Sequence, residues 1–189
     1  MIAVFDDFIQ DKQLLKDIAN DSSFFSDPGI YKYWKGWWTS EPKNVKHRLI
    51  KYIWKDNLPI KMDAEIDGFE YWTGIQSAEN TGYKDHLVLH LDDDVNLREK
   101  TGTWNFPLTG CVYYPPGLNF EGGDLAIYTD GEDSTPELIK SKGNRLVIFD
   151  PGKVLHCVQK VTSGTRMAIA INLWDFEPWS VKEGHIVTD

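Results

Sequence analysis

From residue 67 onward the chain is cut at close intervals by glycine, proline and aspartate turns into short apolar or alternating runs. The runs fall near 68–78, 86–92, 108–114, 124–129, 144–149, 154–161 and 165–174. Between them stand Pro115-Pro116-Gly117, Glu121-Gly122-Gly123, Asp130-Gly131, Lys142-Gly143-Asn144, Pro151-Gly152 and Ser163-Gly164. Punctuation this dense suits short strands, and no helical pattern separates the runs. The sequence therefore predicts an antiparallel β-sandwich or barrel, the jelly roll among them.

The first third reads as helical. Leu14, Leu15, Ile18 and Ala19 recur at helical spacing behind Asp6, Asp7 and Asp11. A second helix is predicted to open at Ser40-Glu41-Pro42, because proline's missing N–H costs nothing in a first turn. Val45, Leu49, Tyr52 and Ile53 form its apolar stripe, and Lys43, Lys46, Lys51 and Lys55 lie mostly on a solvated face. Both helices are expected to pack on the outside of one sheet. No repeat or linker-like tract divides the 189 residues. The expectation is one domain over 1–189, with helical support about 1–66 and a β core about 67–176.

Charge and composition narrow the function. A net charge of −9 argues against broad binding to nucleic acid or to an anionic membrane. The longest apolar runs, such as Leu146-Val147-Ile148-Phe149, are far too short to span a bilayer. The N-terminus meets Asp6-Asp7 without a basic region, unlike a signal peptide. Cys111 and Cys157 make no disulfide framework and read as buried apolar thiols. A cytoplasmic protein is expected.

Three of the five histidines stand in β context. If Lys84-Asp85-His86-Leu87-Val88-Leu89-His90-Leu91-Asp92 is a strand, His86, Val88, His90 and Asp92 share one face. Leu87, Leu89 and Leu91 share the other, which is expected to enter a core. His90 and Asp92 would then stand side by side, and His156, in the apolar run Val154-Leu155-His156-Cys157-Val158, could complete a two-histidine, one-carboxylate triad of the kind that leaves ferrous iron open positions. A His-x-Asp occurs often by chance, and a lone β-strand histidine is commonly a hydrogen-bonded core residue. His86 and His90 could instead pair on a helix around zinc. That pattern lacks its glutamate, and the leucines alternate at period two. Asp94 shares the parity of Asp92 but lies farther from His90. His47, on the second helix, and His185, in a polar tail over 177–189 expected to fray, read as surface residues.

The last strand adds an anion site. Along Thr165-Arg166-Met167-Ala168-Ile169-Ala170-Ile171-Asn172-Leu173-Trp174, one face is Met167, Ile169, Ile171 and Leu173. The other is Arg166, Ala168, Ala170, Asn172 and Trp174. An arginine over two alanines suggests a cavity holding an anion, since a buried guanidinium needs a partner. An edge strand with Arg166 in water would show the same pattern; a metal triad beside it favours the cavity.

These residues resemble the iron(II)/2-oxoglutarate-dependent dioxygenases, and within them the prolyl 4-hydroxylase-like branch. The resemblance covers roughly residues 67–176. It is carried in order by His90-Leu91-Asp92, Gly110-Cys111-Val112-Tyr113-Tyr114, Gly122-Gly123-Asp124-Leu125, Asn144-Arg145-Leu146-Val147-Ile148-Phe149, His156 and Arg166. It implies a mainly β fold with flanking helices, a double-stranded β-helix (jelly roll, cupin-like) with N-terminal supporting helices. It also implies Fe(II) on His90, Asp92 and His156. Arg166 would pair with the distal carboxylate of 2-oxoglutarate, Tyr114 would touch that carboxylate, and Leu125 would wall the pocket. The reaction implied is hydroxylation by O2 with release of succinate and carbon dioxide, and the family suggests ascorbate as a reductant. A peptidyl proline is the substrate that this branch suggests.

Other readings stay open at this point. The substrate could be a free amino acid or another small molecule, the chain could be a jelly-roll binding protein without turnover, or it could be a zinc hydrolase. The aromatic segment 31–38 could be packed core or a lid over the active-site mouth, and the polar stretch 96–106 a flap or a plain connection. The resemblance leaves the roles of Asn172 and Trp174 unassigned.

Overall fold

The computed structural model describes residues 2–58, 66–79 and 81–189; positions 59–65, inside the predicted helical support, lie outside the described residues. In chain order the elements are β1 (Ala3–Phe5), α1 (Lys12–Asn20), β2 (Lys32–Trp34) and α2 (Val45–Lys51), which runs into a π-helical turn (Tyr52–Asn57). There follow β3 (Gly68–Ser77), β4 (Leu87–His90), α3 (Val95–Thr101), β5 (Thr109–Tyr114), β6 (Phe120–Gly122), β7 (Leu125–Tyr128) and β8 (Glu137–Ile139). The chain closes with β9 (Arg145–Phe149), β10 (Leu155–Val158), β11 (Val161–Trp174), α4 (Trp179–Lys182) and β12 (Val187–Thr188).

Two sheets result. The major sheet has the order β1-β9-β5-β11-β3-β2-β12, with β6 on the start of β11, and the minor sheet has the order β4-β10-β7-β8. Pairing is antiparallel throughout except between β12 and β2. This is the mainly β jelly roll that the resemblance implied, within the sandwich-or-barrel class that the turn spacing predicted, and the predicted runs coincide with strands to within a few residues.

The long strand β11 sets the geometry. It pairs with β3 over ten residues and with β5 over five, so every side chain on it has a fixed face. Ile169, Ile171 and Leu173 face the helices and join Leu14, Ile18, Leu49, Ile53, Phe69 and Tyr71 in the main core. A smaller core of Tyr114, Leu125, Ile127, Val147, Phe149 and Ala168 fills the space between the sheets.

Several local expectations change. The first third carries strands as well as helices, because β1 and β2 pair into the major sheet. The second helix starts at Val45, not near Pro42: Asn44 accepts the His47 N–H at 2.8 Å, and this side-chain cap sets the boundary. A helix, α3, interrupts the β region where 96–106 read as polar; Asp94 caps it and Gly102 ends it at positive φ. The leucine face of 86–92 does not enter a core. A bulge between β4 and β10 shifts the register, β4 is an edge strand, and Leu87 lies at the surface. The tail is docked: β12 pairs with β2, and Tyr71 donates a hydrogen bond to Asp189.

His47 is the largest departure from a surface reading. It is fully buried, its ring stacks on Trp34 at 4.2 Å, and its Nε2 lies 3.1 Å from the Tyr71 hydroxyl. Helical spacing put it near the lysines, but residue 47 lies on the flank of the stripe that meets the aromatic residues of β2. Burial pushes its imidazole down to about 4, against the pull of Asp189. Its folded value is thus below the unfolded value of about 6.5, so the unfolded chain takes up the proton first as pH falls. The contribution is complete above pH about 6.5 and is lost between there and about 4. Urea unfolding at pH 7 and 4.5 should show a stability difference smaller in His47→Leu than in the parent by about 2 kcal/mol; equal differences would mean that His47 carries no such linkage.

Candidate functional site

Strands β4 and β10 lie side by side with His90 directly opposite His156. Their rings are 4.3 Å apart. Asp92 follows β4 immediately, tied by its N–H to the Pro151 carbonyl at 3.0 Å. One oxygen of Asp92, Oδ1, is 3.3 Å from His90 Nε2 and 3.6 Å from His156 Nε2. Ligand atoms of all three residues lie within 4.8 Å of one another.

The protons are arranged for a cation. His90 Nδ1 donates to the Val88 carbonyl at 2.8 Å and His156 Nδ1 to the Val154 carbonyl at 3.1 Å. A carbonyl can only accept, so in the neutral rings both Nε2 atoms hold lone pairs facing Asp92. Burial alone would raise the Asp92 carboxyl, but the two imidazoles outweigh it and hold Asp92 well below the usual carboxylate range. Burial likewise works against a charged His90, yet Asp92 raises it. Two imidazoles and a carboxylate on one side of a cavity suit a divalent first-row metal. The other oxygen of Asp92, Oδ2, accepts from Asn172 Nδ2 at 3.0 Å. A side chain at Gly110 would collide with the Asn172 amide at 2.4 Å, so that glycine makes room for the contact.

Arg166 lies in the same cavity, whose volume is about 350 Å³. It is 3 % exposed. Its guanidinium donates to Ser141 Oγ at 3.1 Å, to Tyr114 Oη at 3.0 Å and to Gln76 Oε1, and it stands over the Tyr114 ring at 5.0 Å. All three acceptors are neutral. A buried cation held only by neutral groups is incomplete until an anion arrives. Gly123 permits the arrangement, since a Cβ there would meet Arg166 Cδ at 2.8 Å. Leu125, Phe149, Ala168 and Ala170 line the space between Arg166 and the imidazoles.

The residues singled out from sequence are thus gathered: His90, Asp92, His156, Arg166, Tyr114 and Leu125 all border one cavity or support it. His86 stays outside, exposed and 2.7 Å from Asp85. Asp93 pairs with Arg98 at 2.6 Å, and Asp94 caps α3. Segment 31–38 divides. Tyr33 and Trp34 are fully buried and Trp37 packs on Phe69, whereas Tyr31 packs tilted against Trp72, with centroids 4.6 Å apart, on the cavity wall. The sequence reading missed Gln76 and Ser141, which carry no motif. It left Asn172 unassigned, although the residue stood on the cleared face of β11.

Residues 76–174 match the model of the 2OG-Fe(II) oxygenase superfamily. No curated protein matches the sequence. Among solved structures, a prolyl-4-hydroxylase from Pseudomonas putida is similar at 14% identity and a TM-score of 0.62, covering 93% of each chain. A viral collagen prolyl hydroxylase from Paramecium Bursaria Chlorella virus-1 is similar at 15% identity and a TM-score of 0.53, covering 93% of this chain and 96% of that one. Among the described residues, no helix is long and apolar enough to cross a membrane.

The lone guanidinium makes a prediction independent of metal. Succinate or 2-oxoglutarate added to the metal-free protein should raise its melting temperature, by an amount equivalent to about 2.7 kcal/mol at a hundred times Kd. Arg166→Met should remove the shift. An unchanged shift in that variant would place the anion elsewhere.

Proposed function

The chain belongs to the 2OG-Fe(II) oxygenase superfamily, a 2-oxoglutarate-dependent dioxygenase requiring Fe(II) and O2, and on that premise we propose that it hydroxylates proline residues in peptides. In this reading His90, Asp92 and His156 hold the iron and Arg166 holds 2-oxoglutarate. The observation that carries it is the meeting, in one cavity, of a two-imidazole, one-carboxylate cluster with a buried guanidinium that lacks an anion. The whole 1–189 chain would act as one catalytic domain. Two free cysteines suit a cytoplasmic setting.

When bound, iron and 2-oxoglutarate supply the O2-dependent oxidation that turns a C–H bond into C–OH and releases succinate and carbon dioxide. This chain's residues do the positioning. Gln76 and Ser141 keep the guanidinium of Arg166 pointed at the distal carboxylate, and Tyr114 offers its hydroxyl to the same group. Asn172 occupies Oδ2 of Asp92, which leaves Oδ1 for the metal. The carbonyls of Val88 and Val154 hold the Nδ1 protons and so keep each Nε2 free. Leu125, Phe149 and Ala168 exclude water around the carbon chain of 2-oxoglutarate.

Proline as the target is supported by the prolyl hydroxylases among the similar solved folds and by the Tyr31–Trp72 pair, two aromatic rings in the cavity wall against which a proline ring can pack.

The test is anaerobic addition of ferrous iron and 2-oxoglutarate to metal-stripped protein. A weak visible charge-transfer band should appear and be lost in His90→Ala, Asp92→Ala, His156→Ala and Arg166→Ala. Asn172→Ala should keep the band but need roughly 10–100-fold more iron to reach half-saturation. Proline peptides should then raise succinate release above the peptide-free rate. A folded protein without a band would overturn the reading.

A further inference from the structure

A second cavity, of about 470 Å³, adjoins the first and shares Tyr31, Trp72, His90, Asp92 and Asn172 with it. It extends away from Arg166, past the Asn172 end of β11, toward α4 and β12. Its walls include Glu70, Asp93, Asp94 and Asn96. Among the described residues no lysine or arginine lines it.

Three of its acids are accounted for. Asp92 faces the imidazoles, Asp93 pairs with Arg98, and Asp94 caps α3 and accepts from Ser180. Glu70 is different. It sits on β3 directly across from Asn172 and is only 6 % exposed. Its Oε2 accepts from the Trp174 indole N–H at 3.2 Å, with the Asn172 amide as a further neutral neighbour. No ion pair to Glu70 occurs among the described residues. Burial and the carboxylates Asp92 and Asp94 push its carboxyl up to about 8, against the pull of the Trp174 and Asn172 hydrogen bonds. Glu70 is therefore mostly protonated at neutral pH, and a cation placed beside it would favour its ionised form.

The same wall suits a cation at a second point. Trp72 stands two residues from Glu70 on the same face of β3, and Tyr31 packs against it with ring centroids 4.6 Å apart, so both rings line this cavity beside Glu70. A buried carboxyl without a counter-ion beside an aromatic pair favours a cation over an anion. A free α-amino acid is disfavoured, because its own carboxylate would enter a cavity lined by Glu70, Asp92, Asp93 and Asp94, where the basic side chains among the described residues are the imidazoles His90 and His185 alone. A basic side chain carried by a peptide meets no such conflict, and the overall charge of −9 draws basic peptides in.

We propose that this second cavity receives a lysine or arginine side chain of the peptide substrate, with Glu70 as its ion-pair partner and Tyr31–Trp72 as its aromatic wall. The basic residue thereby sets the neighbouring residue of the peptide at His90, Asp92 and His156. The proposal rests on the hydroxylase reading and names its specificity: a basic residue beside the target.

The test compares capped proline hexapeptides in which a neighbour of proline, on either side, is lysine, norleucine or glutamate. Binding is measured by calorimetry, both to the protein loaded with Mn(II) and 2-oxoglutarate and to the metal-free protein. In one of the two positions lysine should bind at least tenfold more tightly than norleucine, with glutamate weakest. Glu70→Gln should bring lysine and norleucine within twofold of each other. This ratio is internal to each variant, so a general loss of affinity does not imitate it. If Glu70→Gln fails to fold, Trp72→Leu gives the same comparison and should cut the ratio at least threefold. Equal affinities for lysine and norleucine, no binding of the lysine peptide, or a ratio untouched by Glu70→Gln would overturn the proposal while leaving the iron and 2-oxoglutarate sites standing. A lysine preference in the metal-free protein, without any charge-transfer band, would support the cavity's role and strike only the hydroxylase reading.

Discussion

The pairing of β11 with β3 and β5 is the constraint on which the rest of the structure depends. One face of β11 is bound into the helix-backed core through Ile169, Ile171 and Leu173. The other face then delivers, in fixed order, Arg166, Ala168, Ala170, Asn172 and Trp174. These are a buried guanidinium, two small residues that line the cavity, the support of Asp92 and the donor to Glu70. At about 3.3 Å per residue this row extends roughly 20 Å from Arg166 to Asn172. A slip of one residue would turn the whole row into the helix layer and put isoleucines in the cavity. Site and core are therefore specified by one alternation.

The buried charges in this protein fall into two groups. Those with structural work are paired or capped: Asp93 with Arg98, and Asp94 with the α3 N-terminus and Ser180. Those on the cavity walls are left incomplete. Arg166 has three neutral acceptors, Glu70 has neutral donors and a carboxyl kept mostly protonated by burial, and Asp92 meets the Nε2 atoms of two imidazoles. A buried ionisable group without an oppositely charged partner costs stability and favours a ligand that supplies one. On the proposed reading, the two adjoining cavities would suit a co-substrate and a substrate side chain of opposite sign.

What could be read in the sequence follows from the range of the physics. The strands were visible because period-two alternation and turn residues are local, and β11 came through with both its faces correct. His90, Asp92 and His156 were visible because their residue types are rare in β runs and their spacing lets strands return. The failures involve partners far away in sequence. Asn44 competes with Pro42 to start α2 through a single side-chain hydrogen bond, which periodicity does not weigh. His47 looked solvated until β2 supplied Trp34 to stack on it. The leucines of β4 alternate as core residues do, but a bulge and an edge position put Leu87 at the surface. Gln76 and Ser141 meet Arg166 from 90 and 25 residues away.

The helical layer reaches the site by a route that local sequence also hides. His47 on α2 contacts Tyr71 on β3, Tyr71 donates to Asp189, and Asp189 lies just past β12. Ile186 and Val187, on the same segment, wall the second cavity together with Glu70 and Asn172. A neutral imidazole is needed at the start of this chain, since protonation at a fully buried position stacked on Trp34 would set a charge against the core. The cavity that Glu70 lines thus owes one wall to a segment anchored through the far side of the sheet. The outer cavity depends on the helix layer through this anchor, whereas His90 and His156 are set opposite each other by the pairing of β4 with β10.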